Sequence, residues 1–137
     1  MHSEDKKLLK SANLYKEIFE GDHFVKIPQV DRYFDQIKNP VQLGNFTINV
    51  VYTPGHTDGS VCLLVKDMIF TGDTLFKGNI GRVDLPGGDK KNLLNSLIKI
   101  SKLSKDLKVF PGHGKTTTIG HELANNKKFS EILLSVQ

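Results

Sequence analysis

The sequence predicts an α+β domain in which helices cover a sheet, and three observations carry that expectation. Residues 41–43 with 46–52, and residues 61–65 with 68–71, read as two hairpins, the second closed by the two residues Lys66-Asp67, a turn that forces antiparallel neighbours. Leu93, Leu94, Leu97, Ile98, Ile100 and Leu103 recur at helical spacing, an apolar stripe wide enough to cover a sheet. Three strand-like runs end in glycine turns, and each turn presents one side chain of metal-ligand type: His56, Asp73 and His113.

Taken in order, residues 1–20 set Leu8, Leu9, Ala12, Tyr15, Ile18 and Phe19 on one helical face, interrupted near residues 11–13, where Ser and Asn favour turns. His2 is read as a mobile terminal side chain. Gly21-Asp22 ends the pattern, residues 24–30 read as extended around Pro28, and His23 in that loop is not counted as a ligand. Residues 31–37 suit a short helical turn, stopped at Asn39-Pro40 because the residue before proline avoids the helical region. In the long arm of the first hairpin Phe46, Ile48, Val50 and Tyr52 alternate with Thr47, Asn49 and Val51, which predicts one buried face, that of Phe46 and its partners.

After Asp73, Leu75-Phe76 opens a loop rich in glycine, with Gly78, Gly81, Gly87 and Gly88. A loop of that length within a compact domain is more often functional than idle. It lacks the strand-loop-helix pattern with Gly-Lys-Ser/Thr that cradles phosphates. Asp89 is placed to cap the helix that follows. Residues 107–110 lead as a strand into Pro111-Gly112-His113-Gly114, residues 116–119 continue the loop, and residues 120–126 suit a short helix carrying Glu122 and an exposed His121. Phe129, Ile132, Leu133 and Val136 mark a final amphipathic helix.

Composition narrows the function classes. With 137 residues, 38% hydrophobic and 25% charged, the chain suits one domain, residues 1–137. The net charge of +4 comes almost wholly from lysines interleaved with acids, a solvated surface, and so nucleic acid is not an expected partner. Cys62 is the single cysteine, so no intrachain disulfide can form, and a cytoplasmic location is consistent with that. No apolar run approaches the roughly 20 residues of a membrane helix, and the charged N-terminus does not read as a signal peptide.

A hydrolytic metal site needs imidazole nitrogens and carboxylate oxygens on a rigid frame, with a position left for water. Two histidines and one carboxylate suffice for a weak site with one ion, and Asp73 is the one of the three suited to bridging two. The expected cofactor is a divalent metal, zinc in the first place, with iron and manganese as alternatives.

Thr53-Pro-Gly-His-Thr-Asp-Gly-Ser60, Phe70-Thr-Gly-Asp-Thr-Leu-Phe76, Gly81-Arg-Val-Asp84 and Phe110-Pro-Gly-His-Gly114 followed by Thr117-Thr-Ile resemble, in order and spacing, the later motifs of the metallo-β-lactamase superfamily. The resemblance runs from about Val30 to Asn126 and is strongest to the branch close to glyoxalase II, the hydroxyacylglutathione hydrolases. It implies an αββα sandwich of two sheet-and-helix halves with metals at one end of the seam. His56 would ligate one metal, His113 the other, and Asp73 would bridge them. Arg82 and Asp84 would lie in a substrate-side loop, as a structural ion pair or as substrate contacts. The implied reaction is hydrolysis of a thioester or ester by metal-bound hydroxide.

The family's first metal motif, His-x-His-x-Asp-His, does not occur in this sequence. In the family it precedes the region that residues 1–13 resemble, so the expectation is an N-terminally truncated domain, the second half and part of the first, with an incomplete two-metal site. The helical extension that glyoxalase II uses for glutathione is missing too. Such a half is expected to expose an apolar sheet face and to be dimeric, bound to a partner such as the missing half, or poorly soluble. Alternatives to the hydrolase are a catalytically inactive, partner-binding subunit and an iron-dependent persulfide dioxygenase, which shares these motifs. No membrane partner is expected.

Overall fold

The computed structural model describes residues 1–13 and 26–134. The expected loop at Gly21 and His23, the apolar positions from Tyr15 to Phe19, and Val136 lie outside the described residues. Strands β1 (Val41–Leu43), β2 (Phe46–Tyr52), β3 (Val61–Val65), β4 (Met68–Gly72), β7 (Lys108–Pro111) and β8 (Thr117–Thr118) form one sheet in the order β1-β2-β3-β4-β7-β8. Two short strands, β5 (Leu75–Phe76) and β6 (Asn79–Ile80), pair apart from it. The helices are α1 (Lys6–Lys10), α2 (Lys90–Ser101), α3 (Ile119–Asn125) and α4 (Lys127–Leu134), with 3₁₀ turns at Ser3–Asp5 and Phe34–Gln36.

Both expected hairpins are present, with Leu43 opposite Phe46 and Val65 opposite Met68. β4 and β7 pair in parallel, which requires a crossover, and α2 provides it. Asp89 caps α2 as its position predicts, its Oδ1 accepting from Asn92 N at 2.7 Å. The stripe on α2 buries Leu93, Leu97 and Ile100 against Cys62, Ile69 and Val109 of the sheet, with Leu75, Ile119 and Phe129 closing the core. Each such aliphatic side chain contributes roughly 1.5–3 kcal/mol by leaving water.

The helices cover the face of the sheet shared by Val51, Cys62, Ile69 and Val109, and this reverses one expectation. The alternation of β2 is real, but Val51 packs against the core, whereas Phe46 and Tyr52 are 48% and 41% exposed. Alternation reports that two faces differ; it carries no information on which of two apolar faces the helices choose. On the other face Val50, Leu63, Phe70 and Phe110 follow one another across four strands, Phe70 stacking on Phe110 at 5.3 Å. Leu43 and Phe70 stand exposed there, at 65% and 41%.

Three further expectations are corrected. The glycine-rich loop is partly the β5–β6 hairpin, anchored because Leu75 is fully buried. Thr117–Thr118 is a strand on the sheet edge, pairing with β7. His2 is held rather than mobile: its Nδ1 accepts from Glu4 N, and its ring stacks on Tyr52 at 4.5 Å. Among the described residues no helix is long and apolar enough to cross a membrane.

Candidate metal centre

The strand ends gather the three singled-out side chains at one corner. His56 follows β2 in a loop closed by Thr53 N donating to Ser60 O at 3.0 Å. Gly55 makes the turn: its φ is +139°, and a Cβ there would run into the backbone of Leu93 in α2. Helix α2 holds the turn in return, with Asp89 N donating to Gly55 O at 2.9 Å and Ser96 Oγ to Pro54 O at 2.7 Å. From the far side Asp5 accepts from Gly59 N at 2.8 Å and Thr57 Oγ1 at 2.9 Å. Gly55→Ala is expected to lower unfolding free energy by about 3 kcal/mol, since it combines a disfavoured φ with a backbone clash. Urea denaturation of the purified chain measures it, and a change below about 0.5 kcal/mol would contradict the packing described.

His56 is oriented by a carbonyl. Its Nδ1 lies 2.9 Å from Arg82 O, an atom that can only accept, so Nδ1 carries the proton and the lone pair sits on Nε2. That Nε2 faces Asp73 Oδ2 at 3.5 Å. His113 Nε2 faces the other oxygen, Oδ1, at 3.8 Å. Asp73 follows β4 beside the Pro111-Gly112 turn, where a Cβ on Gly112 would strike Asp73 Oδ1 and where Gly112 N donates to Gly72 O at 2.8 Å. The His113 ring stacks on Phe76 of β5 at 4.4 Å.

Both nitrogen–oxygen separations are long for a hydrogen bond and close to the roughly 3.4 Å at which one tetrahedral ion separates two of its ligands. The chemistry of the donors therefore fits a divalent metal: two imidazole nitrogens, one of them oriented by a backbone carbonyl, and a carboxylate between them. Among the described residues no three His, Cys, Asp or Glu side chains gather closely enough to hold a single ion. The reason is the split of Asp73, whose two oxygens serve two different histidines and make two pairs rather than one triad.

A groove of about 350 Å³ opens over these pairs, bounded by Phe76, Ile80 and Arg82. Arg82 grips Asp84 with two hydrogen bonds of 2.7 and 2.8 Å, and that grip holds the Asp84 carboxyl down to about 2. The pair is thus ionised throughout the neutral range, and the same residue's carbonyl, Arg82 O, meets His56. Cys62 takes no part in this chemistry, because burial pushes its thiol up to about 11.

Two residues that matter here escape local sequence reading. Glu122 is fully buried, accepting from Gly78 N at 2.8 Å, Thr117 Oγ1 at 2.6 Å and Asn126 Nδ2 at 2.9 Å. It ties the β5–β6 turn, behind Phe76, to the strand that follows His113. Asn126 adds a bond to Asn79 O at 3.0 Å and accepts from Phe129 N at 3.2 Å. Glu122 and Asn126 lie four apart, on one side of their helix, but only the burial of Ile119 marks that side as the inner one. Asp5 had no such local signal. His121 is exposed, as expected.

Comparison with known proteins bears on the family rather than on this geometry. The family profile described as the metallo-beta-lactamase superfamily matches residues 6–113. Hydroxyacylglutathione hydrolase GloC of Haemophilus influenzae is 40% identical over 125 residues, 85% of this chain and 59% of that protein. The crystal structure of BLEG-1 B3 metallo-beta-lactamase superposes with a TM-score of 0.85 at 34% identity, over 95% of this chain and 64% of that one. TTHA1623 in a di-iron-bound form gives 0.80 at 34% identity, over 93% and 63%. The chain spans about half the length of the curated relatives it matches.

Proposed function

The chain belongs to the metallo-β-lactamase superfamily, and from that premise we propose that it contributes the bridging part of a two-metal hydrolase centre that cleaves a thioester or ester. One observation carries the reading: the two oxygens of Asp73 are divided between His56 Nε2 at 3.5 Å and His113 Nε2 at 3.8 Å. His56 and His113 are the proposed ligands, one to each ion, with Asp73 between them. The name of GloC, a hydroxyacylglutathione hydrolase, supports an acylated thiol as substrate, and the two irons of TTHA1623 support a paired centre.

Divalent metals, when bound, supply a water acidic enough to attack at neutral pH and positive charge for the carbonyl oxygen. The chain's own residues do the rest. Arg82 O keeps the proton of His56 on Nδ1 and its lone pair toward the centre. Phe76 stacks on the His113 ring and limits its rotation. Zinc is the ion proposed first.

The exposed apolar row on the sheet, with Phe70 and Tyr52 each 41% exposed, supports a second reading in which a partner polypeptide, a first sheet-and-helix half or another copy, covers this face and adds ligands. Zinc titration of the purified chain, followed by thiol release from an acyl thioester, tests both. Zinc uptake exceeding one equivalent, with thiol release abolished by a chelator, is the expected result. Zinc uptake without thiol release favours the partner reading. No uptake at micromolar zinc, iron or manganese, together with no thiol release, would overturn the hydrolase reading. Preference for iron, with oxygen consumed on a persulfide, would replace it by the dioxygenase.

A further inference from the structure

A second groove, of about 730 Å³, lies beside the first and shares Asn79, Ile80 and Arg82 with it. Its volume is within the range of small-molecule sites. A ligand whose reacting end sits at Asp73 can therefore pass across Ile80 into it. The floor is apolar, formed by Val83, Leu93, Leu94 and Ile132. The rim is basic.

Lys90 and Lys91 supply most of that charge, and their position is unfavourable for a helix. They open α2, whose first turn contains no acidic residue, although the capping Asp89 sets a carboxylate beside that helix end and offsets part of the repulsion between its positive dipole and these cations. Lys128 adds a third charge, its Nζ donating to the neutral Asn79 Oδ1 at 2.9 Å. Asp84 also lines the groove, but its carboxylate is already engaged by both arms of Arg82. Among the described residues none of the three lysines forms an ion pair. An apolar floor beneath lysines that form no ion pair is complementary to one chemistry, an apolar chain that ends in an anion.

We propose that this groove seats the non-reacting arm of the substrate, an apolar segment ending in a carboxylate or phosphate, and that Lys90 and Lys91 set the preference for its charge. Calling the occupant a substrate arm rests on the hydrolase reading above; the binding chemistry does not.

The test therefore uses the metal-free full chain, titrated with octanoate, octyl phosphate and 1-octanol and followed by methyl resonances in NMR. The two anions should shift the methyls of Val83, Leu94 and Ile132 and bind at least about fivefold more tightly than 1-octanol. Lys90→Gln with Lys91→Gln should weaken anion binding roughly tenfold, whereas the corresponding pair of arginines should stay within about twofold of the parent. Both variants alter exposed side chains, and an unchanged thermal melt verifies their folding. The tighter of the two anions identifies the head group. Equal binding of 1-octanol, undiminished binding by the double glutamine variant, or shifts confined to the open sheet face would overturn the proposal. Because no metal is present, anion binding is read apart from catalysis: a chain that seats the anions but, in the separate metal titration, neither takes up metal nor releases thiol would remove the hydrolase reading and leave the groove standing.

Discussion

Asp73→Asn is expected to weaken zinc binding about a hundredfold or more while leaving the metal-free chain within about 1 kcal/mol of the parent's stability. The asymmetry follows from where Asp73 sits. Its side chain is 36% exposed and faces both imidazoles beyond hydrogen-bond distance, so the fold depends on it little. A metal would depend on it heavily, because the amide keeps one neutral oxygen and loses the charge that both histidine pairs share. His56→Ala and His113→Ala should behave differently. Each removes one nitrogen from one pair, so each should abolish one class of zinc site and spare the other, whereas Asp73→Asn should impair both. Calorimetric titration of the three variants separates the cases. If either histidine variant alone eliminates all zinc binding, the ions do not occupy separate positions, and Asp73 is not a bridge.

Legibility of this centre from sequence depended on how local each cause was. His56 is placed by contiguous residues: proline and glycine end β2, and the φ of +139° at Gly55 is a property that the Pro-Gly-His triplet announces. Asp73 and His113 follow their strands in the same way, and Asp89 capping α2 needs only its neighbours. The supports are not local. Asp5 reaches Gly59 across 54 residues, and Glu122 reaches Gly78 across 44, so neither partner is written near the residue it holds. A glutamate in a short helix among Lys, Asn and His reads as solvated until Ile119 and Asn126 are seen to share its side. The reversed face of β2 has a similar cause. Both of its faces carry apolar residues, and only the location of α2 decides that Val51 is covered and Phe46 is not. The split of Asp73 between two histidines is likewise a matter of angstroms, which spacing in a sequence does not encode.

Glu122→Ala is expected to cost about 3 kcal/mol of stability. A fully buried glutamate side chain is tolerated because three donors, Gly78 N, Thr117 Oγ1 and Asn126 Nδ2, converge on it. Removing it leaves the buried Asn126 Nδ2 without this partner and releases the less buried Gly78 N and Thr117 Oγ1, and a buried donor without a partner costs about 1–3 kcal/mol. Glu122→Gln separates charge from hydrogen bonding. Its carbonyl oxygen can still accept from Gly78 N and Asn126 Nδ2, and its amide can donate to Thr117 Oγ1 once that hydroxyl turns. The glutamine variant should therefore lose only about 1 kcal/mol. Thermal and urea unfolding measure both, and equal losses would mean that the charge itself, not the three bonds, is what the site requires. The consequence reaches the metal centre through Phe76. When Gly78 and Thr117 are released, the β5–β6 turn and the strand after His113 lose their common anchor, so the Phe76–His113 stack at 4.4 Å should loosen even where Glu122→Ala remains folded. The His113 ring resonances would then broaden or move while those of His56, held by Arg82 O and α2, stay in place. Equal displacement of both histidines would show that Glu122 supports the whole domain rather than this wall of the site.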